Sequence, residues 1–262
     1  MSDEHIYHRF IDGEGPCIVL IHGMACDHTD WRLQEAHFTA QGRQMLLMDL
    51  RGHGQSLHIR DDLDMPTMGA DVVTLLHHYD VQRAIVAGHS MGCRVATETA
   101  LQAPDIVEKV VLVDGSRFAE GDPDEAVAAA RAVIEKRGFG NHIKANFASM
   151  FLDDGPTELS QPIMDRTAAW PDEVGEQVML AMIRWDAGDF GRRYSGLKTP
   201  VSVLQSTHMA DGKRSVVVEN THVGWHDQIA AAGVSADIQS VYECGHFTML
   251  EAAEQTNNAL AA

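Results

Sequence analysis

The fold is decided by the stretch Ala84-Ile85-Val86-Ala87-Gly88-His89-Ser90-Met91-Gly92, in which an apolar run ends in the pattern Gly-x-Ser-x-Gly. Residues Arg83 to Ala87 are predicted to form a buried strand, and the helical spacing from Met91 to Ala103 predicts a helix that ends before Pro104. So sharp a turn strains the backbone of its central residue, and the two glycines remove the side-chain clashes that would forbid it. The pattern therefore predicts that Ser90 stands at the start of a helix as a nucleophile.

The rest of the chain alternates short apolar runs with helical patterns such as Thr67 to Tyr79. This alternation is typical of strand-helix-strand units around a mostly parallel, buried sheet. The remaining predicted strands are Cys17 to Ile21, Gln44 to Asp49, Lys109 to Val113, Val201 to Gln205 and Asp237 to Tyr242. Together these patterns predict a doubly wound α/β fold.

One long segment departs from this alternation. Between about Phe118 and Lys198, helical patterns rich in Met, Phe and Trp follow one another without a convincing strand. We interpret the segment as a helical cap over the C-terminal edge of the sheet. The predicted division is a core domain of residues 1–117 and 199–262 and a cap of residues 118–198.

The composition argues against several classes of protein. With 262 residues, 45% of them hydrophobic, the chain is long enough to bury a full core, which disfavours disorder. Its 38 acidic and 20 basic residues give a net charge of −18. That charge disfavours nucleic acids, anionic membranes and, unless a local pocket overrides it, highly anionic substrates. The four cysteines form no Cys-x-x-Cys pair, and no apolar run approaches the roughly 20 residues that span a bilayer, so we expect a cytoplasmic protein without a signal sequence.

A histidine late in the chain is the candidate base. A serine hydroxyl is a weak nucleophile near neutral pH, so it needs an imidazole to take its proton and a third group to orient that imidazole. His246 follows the last predicted strand directly, at the sheet edge where open α/β folds build their sites. We therefore predict that His246 is the base.

Two backbone amides are predicted to stabilise a developing oxyanion. One belongs to Met91, the residue after the nucleophile, and the other to Met24 in His22-Gly23-Met24, which follows a predicted strand. Only the N–H groups matter in this role, so both methionine side chains can line a pocket at the same time.

Four motifs extend the pattern along the chain: HGM (22–24), DLRGHGQS (49–56), GHSMG (88–92) and GHFTMLE (245–251). In these motifs the chain resembles the α/β-hydrolase superfamily from about residue 6 to the end, apart from the predicted cap. The resemblance implies an eight-stranded, mostly parallel sheet, a helical cap after the sixth strand, and a nucleophile, an acid and a histidine in that order. It also implies that the protein uses neither a metal nor an organic cofactor.

The acid departs from the commonest pattern of that family. The resemblance places the acid after the seventh strand in a Gly-x-x-Asp turn, but here Ser206 replaces the glycine and Asp211 comes two or more residues late. Asp114, at the end of the sixth strand of the family pattern, lies at the same sheet edge and would orient the histidine equally well. Asp114 is therefore the preferred acid and Asp211 the alternative, although Asp114-Gly115 is also a turn signal.

Candidates for substrate contact come from the cap and from the loop after Met24. Apolar residues of the cap either seal it onto the core or line a pocket. The candidates are His28, Met150, Phe151, Trp170 and Trp185. No metal site is predicted, because His222 and His226 lack a clustered carboxylate or thiolate.

The leading hypothesis is a serine hydrolase that cleaves an ester, lactone or related carbonyl compound through an acyl-enzyme. The resemblance leaves as alternatives a cofactor-free dioxygenase of N-heteroaromatic compounds that uses His246 and Asp114 as a dyad, a perhydrolase or haloperoxidase, and a C–C hydrolase. A binding protein without turnover is the non-enzymatic alternative. The expected partner is a small-molecule substrate, and the sequence does not determine the oligomeric state.

Overall fold

The structure is a computed structural model that describes residues 5–152, 157–210 and 213–261. The strands in these ranges are β1 (His8–Ile11), β2 (Glu14–Ile21), β3 (Arg43–Met48), β4 (Ala84–His89), β5 (Val107–Val113), β6 (Val201–Gln205), β7 (Thr207–Ala210), β8 (Lys213–Val216) and β9 (Ala236–Ser240).

The helices in the same ranges are α1 (Arg32–Ala40), α2 (Met65–His78), α3 (Gly92–Gln102), α4 (Pro123–Arg137), α5 (Phe139–Ala148), α6 (Gln161–Ala169), α7 (Asp172–Arg184), α8 (Phe190–Gly196), α9 (Gly224–Ala231), α10 (Thr248–Glu251) and α11 (Ala253–Ala261). Short 3-10 turns cover His28–Trp31 and Gly54–Ser56, and one π-helical turn covers Trp185–Asp189. Among these helices none combines the length and the apolar character that crossing a membrane requires.

Seven strands form one sheet in the order β1-β3-β2-β4-β5-β6-β9. Neighbouring strands are parallel except for β1, which pairs antiparallel with β3 at the edge. The residues of β4 are all buried, as expected for a strand covered by helices on both faces. The prediction of a mostly parallel sheet flanked by helices is confirmed, and each of the six predicted strands overlaps an observed one.

Two details of the expected topology were wrong. In the described residues the sheet has seven strands rather than eight, and the long helical segment follows β5, the fifth strand along the chain, rather than a sixth. In the described residues only three strands precede β4, so the insertion follows the fifth strand; β7 and β8, which come after β6, pair antiparallel with each other and do not extend the sheet.

The segment between β5 and β6 contains α4 to α8 and, in its described residues, no strand. We refer to residues 118–198 as the helical insertion. A buried ion pair attaches it to the core: Nε and Nη2 of Arg94 in α3 donate to the two carboxylate oxygens of Asp186, at 2.7 and 2.6 Å. Asp186 also accepts a hydrogen bond from the backbone N–H of Phe118 at 2.8 Å, so the start of the insertion and its π-helical turn meet at this pair.

Candidate active site

The strand β4 turns sharply into α3, and Ser90 occupies the turn with a φ of +54°. Its N–H donates to the carbonyl of Val113 at 2.9 Å, at the end of the neighbouring strand β5. Gly88 tolerates no side chain, because a Cβ there would lie 2.0 Å from the carbonyl oxygen of Gly92. The surrounding contacts therefore hold Ser90 in the left-handed backbone region that the sequence pattern predicts.

His246 lies on the loop between β9 and α10 and is buried. Its Nδ1 atom is 2.6 Å from Oδ2 of Asp114. Because an ionised carboxylate only accepts hydrogen bonds, Nδ1 carries the proton and Nε2 carries the lone pair of a base. The backbone N–H of His246 donates to the carbonyl of Met150 at 2.6 Å, which ties this loop to the helical insertion.

Asp114 follows β5 directly, with a φ of +47°, and is fully buried. Its Oδ1 accepts three hydrogen bonds, from Nε2 of Gln205 (2.9 Å) and the backbone N–H groups of Ser206 (2.9 Å) and Thr207 (2.7 Å). Its Oδ2 accepts from Nδ1 of His246, the hydroxyl of Thr207 (2.5 Å) and Nη1 of Arg214 (3.4 Å). Each donor stabilises the ionised form, so the carboxylate is fixed in place as an anion.

The Asp114–His246 pair titrates far from neutrality. Burial disfavours the charged form of Asp114, but the hydrogen bond from His246 and the charge of Arg214 outweigh it, and the pKa of Asp114 falls to about 2. Burial, followed by the charge of Arg214, lowers the pKa of His246 to about 4. Above that pH the pair is a carboxylate and a neutral imidazole, which is the state in which Nε2 can act as a base.

Met24 lies in the turn after β2. The Nδ1 atom of His22 donates to the carbonyl oxygen of Gly23 at 2.7 Å, and its Nε2 accepts from the N–H of Leu50 at 3.0 Å. In a trans peptide the N–H points away from the preceding C=O, so His22 directs the Met24 N–H to the opposite side. Across the described ranges, neither this N–H nor that of Met91 has a hydrogen-bond acceptor.

Gly23 brings the same turn against the serine. A Cβ at Gly23 would lie 3.1 Å from Nδ1 of His89 and 3.2 Å from Cβ of Ser90. One N–H without an acceptor therefore lies in the turn packed on Ser90, and the other belongs to the residue after it. Pairs of this kind bind an oxyanion.

A cavity of about 570 Å³ lies beside Ser90. Its walls come from the core and from the helical insertion, and most of them are apolar. The lining residues in the described chain are Gly23, Met24, Cys26, His89, Ser90, Phe118, Arg137, His142, Ala145, Asn146, Phe147, Ser149, Met150, Met179, Met182, Ile183, Met209, Arg214, His246 and Phe247. The predicted residues Ser90, His246, Met24 and Met150 thus share one cavity, which is large enough for a small organic substrate.

His28 does not reach this cavity. Its Nδ1 lies 2.7 Å from Oδ1 of Asp49, and its own backbone N–H donates to the same oxygen at 2.8 Å. The hydrogen bond that His28 donates to Asp49 raises the pKa of His28. The prediction that His28 contacts substrate therefore has no support in the structure, because Asp49 holds the ring in the loop after the Met24 turn.

Three predicted aromatic contacts also lie outside the cavity lining. Nε1 of Trp185 donates to Glu98 of α3 at 2.7 Å, and Nε1 of Trp170 donates to the carbonyl of Gly52 at 2.8 Å. Both rings therefore seal the helical insertion onto the core. Phe151 does not line the cavity itself. Its ring stacks on that of the lining residue Phe247, with centroids 4.8 Å apart.

Sequence reasoning missed the polar residues that surround the Asp114–His246 pair. They are Gln205, Thr207 and Arg214, and the cavity adds Arg137 and His142. The dipeptide Asp-Gly at 211–212, between residues that favour strands, is a hairpin signal that could have predicted β7 and β8 and hence the position of Arg214. Asp211, the alternative acid, lies outside the described residues.

One cluster has the residue types of a metal site. Ligand atoms of Asp27, His28 and Asp49 lie within 4.8 Å of one another. However, Asp49 accepts hydrogen bonds from His28 at Oδ1 and from the N–H of Gln55 at Oδ2, and Asp27 pairs with Arg166 at 2.8 Å. Protein donors thus already bind these carboxylates, and the cluster is explained as a hydrogen-bonded support for the loop.

The sequence profile of the alpha/beta hydrolase family matches residues 18–259. The chain therefore belongs to the alpha/beta hydrolase family, and it is an enzyme. The resemblance seen in its four motifs is thereby confirmed.

Individual relatives agree with this assignment. The chain is 25% identical over 265 residues to an (E)-2-((N-methylformamido)methylene)succinate hydrolase from Acinetobacter baylyi, covering 100% of this chain and 95% of that protein. It is 25% identical over 253 residues, 96% of this chain, to the dihydrolipoyllysine-residue acetyltransferase component of the acetoin cleaving system from Pseudomonas putida, of whose length it spans 64%. Among solved structures, the enol-lactonase from Burkholderia xenovorans LB400 has the same fold, with a TM-score of 0.76, 23% identity and coverage of 98% and 95% of the two chains.

Proposed function

We propose that the protein is a serine hydrolase that cleaves an ester, a lactone or a related carbonyl substrate. The observation that carries this proposal is the 2.6 Å contact between Asp114 and His246 at the edge of the cavity that Ser90 lines. Ser90 is the nucleophile, His246 the general base and Asp114 the group that orients His246. The relative from Acinetobacter is a hydrolase of a formamido-methylene-succinate and the structure from Burkholderia is an enol-lactonase, and both kinds of substrate contain a carbonyl group.

The reaction follows from the protonation states of these groups. Oγ of Ser90 attacks the carbonyl carbon while its proton passes to Nε2 of His246, and Asp114 stabilises the resulting imidazolium through Nδ1–H. The imidazolium then gives its proton to the departing oxygen, which leaves an acyl group on Ser90. A water molecule, deprotonated by His246, then attacks the acyl-enzyme; the imidazolium returns that proton to Oγ of Ser90 as the acid is released.

The oxyanion of each tetrahedral intermediate accepts hydrogen bonds from the N–H groups of Met24 and Met91. Two observations support this role: neither amide has an acceptor in the described residues, and His22 holds the Gly23 carbonyl so that the Met24 N–H points away from it. Donors that are already oriented need no rearrangement when the charge develops, which is why such pairs lower the barrier.

The helical insertion acts as a cap on the substrate side of the site. Residues of α5 and α7, among them Phe147, Met179 and Met182, line the cavity opposite Ser90 and His246. Their apolar side chains favour a substrate with an aliphatic or aromatic portion of modest size.

Labelling with a fluorophosphonate tests the proposal. Such a probe phosphonylates an activated serine, so we expect one addition per chain, mapped to Ser90 by peptide mass spectrometry. The addition should be lost in His246→Ala and retained in the matched control His37→Ala, whose exposed side chain lies on α1 and, among the described residues, hydrogen bonds only to Gln41. Folded wild-type protein that takes up no probe would contradict the proposal.

A second candidate is a cofactor-independent dioxygenase of hydroxylated N-heteroaromatic compounds. One observation favours it: in the described residues no hydrogen bond joins Oγ of Ser90 to His246, while the His246–Asp114 dyad is complete. In that reaction His246 removes a proton from the substrate hydroxyl, and Ser90 only positions the substrate. Oxygen uptake with such compounds, in protein that a fluorophosphonate does not label, would favour this candidate.

A further inference from the structure

The cavity beside Ser90 has a charge opposite in sign to that of the whole chain. The chain carries a net charge of −18. Within the described residues, however, no aspartate or glutamate lines the cavity, whereas Arg137 and Arg214 do. Cations within largely apolar walls focus their field into the cavity, so local charge overrides net charge there and attracts anions.

Arg214 is the more deeply placed of the two cations. Only 4% of its side chain is exposed. Its Nη1 donates to the hydroxyl of Thr207 at 2.6 Å and to Oδ2 of Asp114 at 3.4 Å. For Nε and Nη2 the described chain offers no acceptor, so these donors of the guanidinium are available to a ligand in the cavity.

Asp114 neutralises this cation only in part. The carboxylate is already engaged by His246, Thr207 and two further donors, and its contact with Arg214 is its longest, at 3.4 Å. Burial accordingly lowers the pKa of Arg214. A buried cation without a full partner is costly, and a carboxylate ligand that binds the open side of the guanidinium would remove that cost.

The cation is also next to the base. Nη1 of Arg214 and Nδ1 of His246 both donate to the same oxygen, Oδ2 of Asp114. An anion bound by Arg214 therefore lies on the side of the cavity adjacent to His246. Arg137, at the end of α4, is exposed and adds a second positive charge to the lining of the cavity.

We propose that the substrate is an ester or lactone that carries a carboxylate, and that Arg214 binds this carboxylate while Ser90 attacks the carbonyl. The inference rests on the proposed hydrolase function and names the substrate class within it. A guanidinium can hold a carboxylate with two parallel hydrogen bonds, which fixes the orientation of the substrate as well as its affinity.

Two matched esters test this inference: 4-nitrophenyl hydrogen adipate, which carries a carboxylate, and its neutral methyl ester. We expect wild-type kcat/KM to be at least about tenfold higher for the acid. Arg214→Gln should lower that preference by about 10- to 100-fold, and Arg214→Lys should lower it less, because a charge without the bidentate fork remains. The control Arg83→Gln removes the same charge at the far end of β4, where Arg83 pairs with Glu108 on the surface, and should leave the preference unchanged.

Using the ratio of two substrates cancels any effect of Arg214 on Asp114 and His246. A wild-type ratio near one would overturn the inference, as would a ratio that is the same in Arg214→Gln; the first outcome needs no variant to fold. If neither ester is cleaved, the hydrolase proposal fails while the binding site remains testable. Calorimetric titration of adipate into Ser90→Ala and into the double variant Ser90→Ala/Arg214→Gln then tests the site directly. Binding to Ser90→Ala that the double variant loses supports the carboxylate site. Absence of binding to Ser90→Ala, or equal binding to both proteins, overturns it.

Discussion

Nε2 of His89 donates a hydrogen bond to the backbone carbonyl of His246 at 2.8 Å. The residue before the proposed nucleophile therefore holds the residue that carries the proposed base. Burial lowers the pKa of His89 well below its usual value, so the ring is neutral and its single proton is on Nε2. The bond joins the end of β4 to the loop after β9, and it sets the distance between Ser90 and His246 through the backbone.

His89 is thus predicted to be a positioning residue. His89→Leu leaves the His246 carbonyl buried without its donor, which should lower the free energy of unfolding by about 1–3 kcal/mol. We expect kcat for a short ester to fall about tenfold with little change in KM, because geometry rather than binding is lost. His89→Gln, which supplies a replacement donor, should recover most of kcat; equal kcat in His89→Leu and wild type would remove His89 from this role.

The two candidate acids are separated by a pair of matched substitutions. In Asp114→Asn one accepting oxygen becomes a donor that faces other donors, such as Nδ1–H of His246, so the imidazole loses its orientation. We expect kcat/KM to fall by about 10⁴-fold, as when a triad acid is neutralised. Asp211→Asn removes the same charge and should stay within about threefold of wild type. The reverse ranking, measured in steady-state assays on both variants, would transfer the role to Asp211.

The pH dependence of activity follows from the titration of His246. Burial and then the charge of Arg214 lower its pKa to about 4, against the opposing effect of Asp114. Because only the neutral imidazole can take the proton of Ser90, kcat/KM should stay level from neutral pH down to about 4 and fall about tenfold per unit below it. In Arg214→Gln this limb should move to higher pH. Initial rates measured across the acid range, for wild type and for Arg214→Gln, check these two expectations. A fall in wild-type kcat/KM centred near pH 6.5, the usual pKa of histidine, would contradict the role of His246 as the buried base.

The same shift has a consequence for folding. The unfolded chain has a histidine of ordinary pKa, so the fold binds its proton at His246 less tightly than the unfolded state does. The stability linked to His246 is therefore fully present above pH 6.5 and is lost as pH falls toward about 4. Urea unfolding of His246→Gln should show a shallower loss of stability over that window than wild type does.

The ion pair between Arg94 and Asp186 is predicted to matter strongly for stability. Both side chains are almost fully buried, at 2% and 0% exposure, so removing one partner strands a charge. Asp186→Leu should lower the free energy of unfolding by about 3–5 kcal/mol. Breaking the exposed pair of Arg131 and Glu176 by Glu176→Gln should cost about 0–1 kcal/mol. The double variant Arg94→Met/Asp186→Leu removes the charge of Arg94 as well. If urea unfolding shows that it is no more stable than Asp186→Leu, the unpaired charge of Arg94 does not cause the loss of stability.

Much of the core was predictable because local sequence determines it. Gly88 and Gly92 exclude side chains at the turn around Ser90, and the apolar runs of β2, β4 and β5 are buried by helices on both faces whatever the rest of the chain does. The approach of Asp114 to His246 was also foreseen, because both follow strands at one edge of the sheet.

The remaining features depend on contacts that sequence spacing does not encode. Trp170 and Trp185 are residue types that often line pockets. Here their indole N–H groups donate to buried acceptors on the core, Gly52 and Glu98, and these bonds hold both side chains outside the cavity lining. Arg214 was missed because the Asp-Gly signal at 211–212 was not used, and it is the hairpin of β7 and β8 that returns Arg214 to Asp114. The positions of these side chains depend on hydrogen-bond partners that are distant in the sequence. A single sequence does not show which residues those partners are.

The contacts that attach the helical insertion to the core also affect how the substrate specificity of such an enzyme can change during evolution. Arg94 and Glu98 belong to α3, the helix that follows Ser90, while their partners Asp186 and Trp185 belong to the insertion. A chimaera that received its insertion from a relative would inherit these core groups without their complements. New specificities in this scaffold are therefore expected to arise by point changes at lining positions of α7 rather than by exchange of whole modules, and core and insertion should be transplanted together.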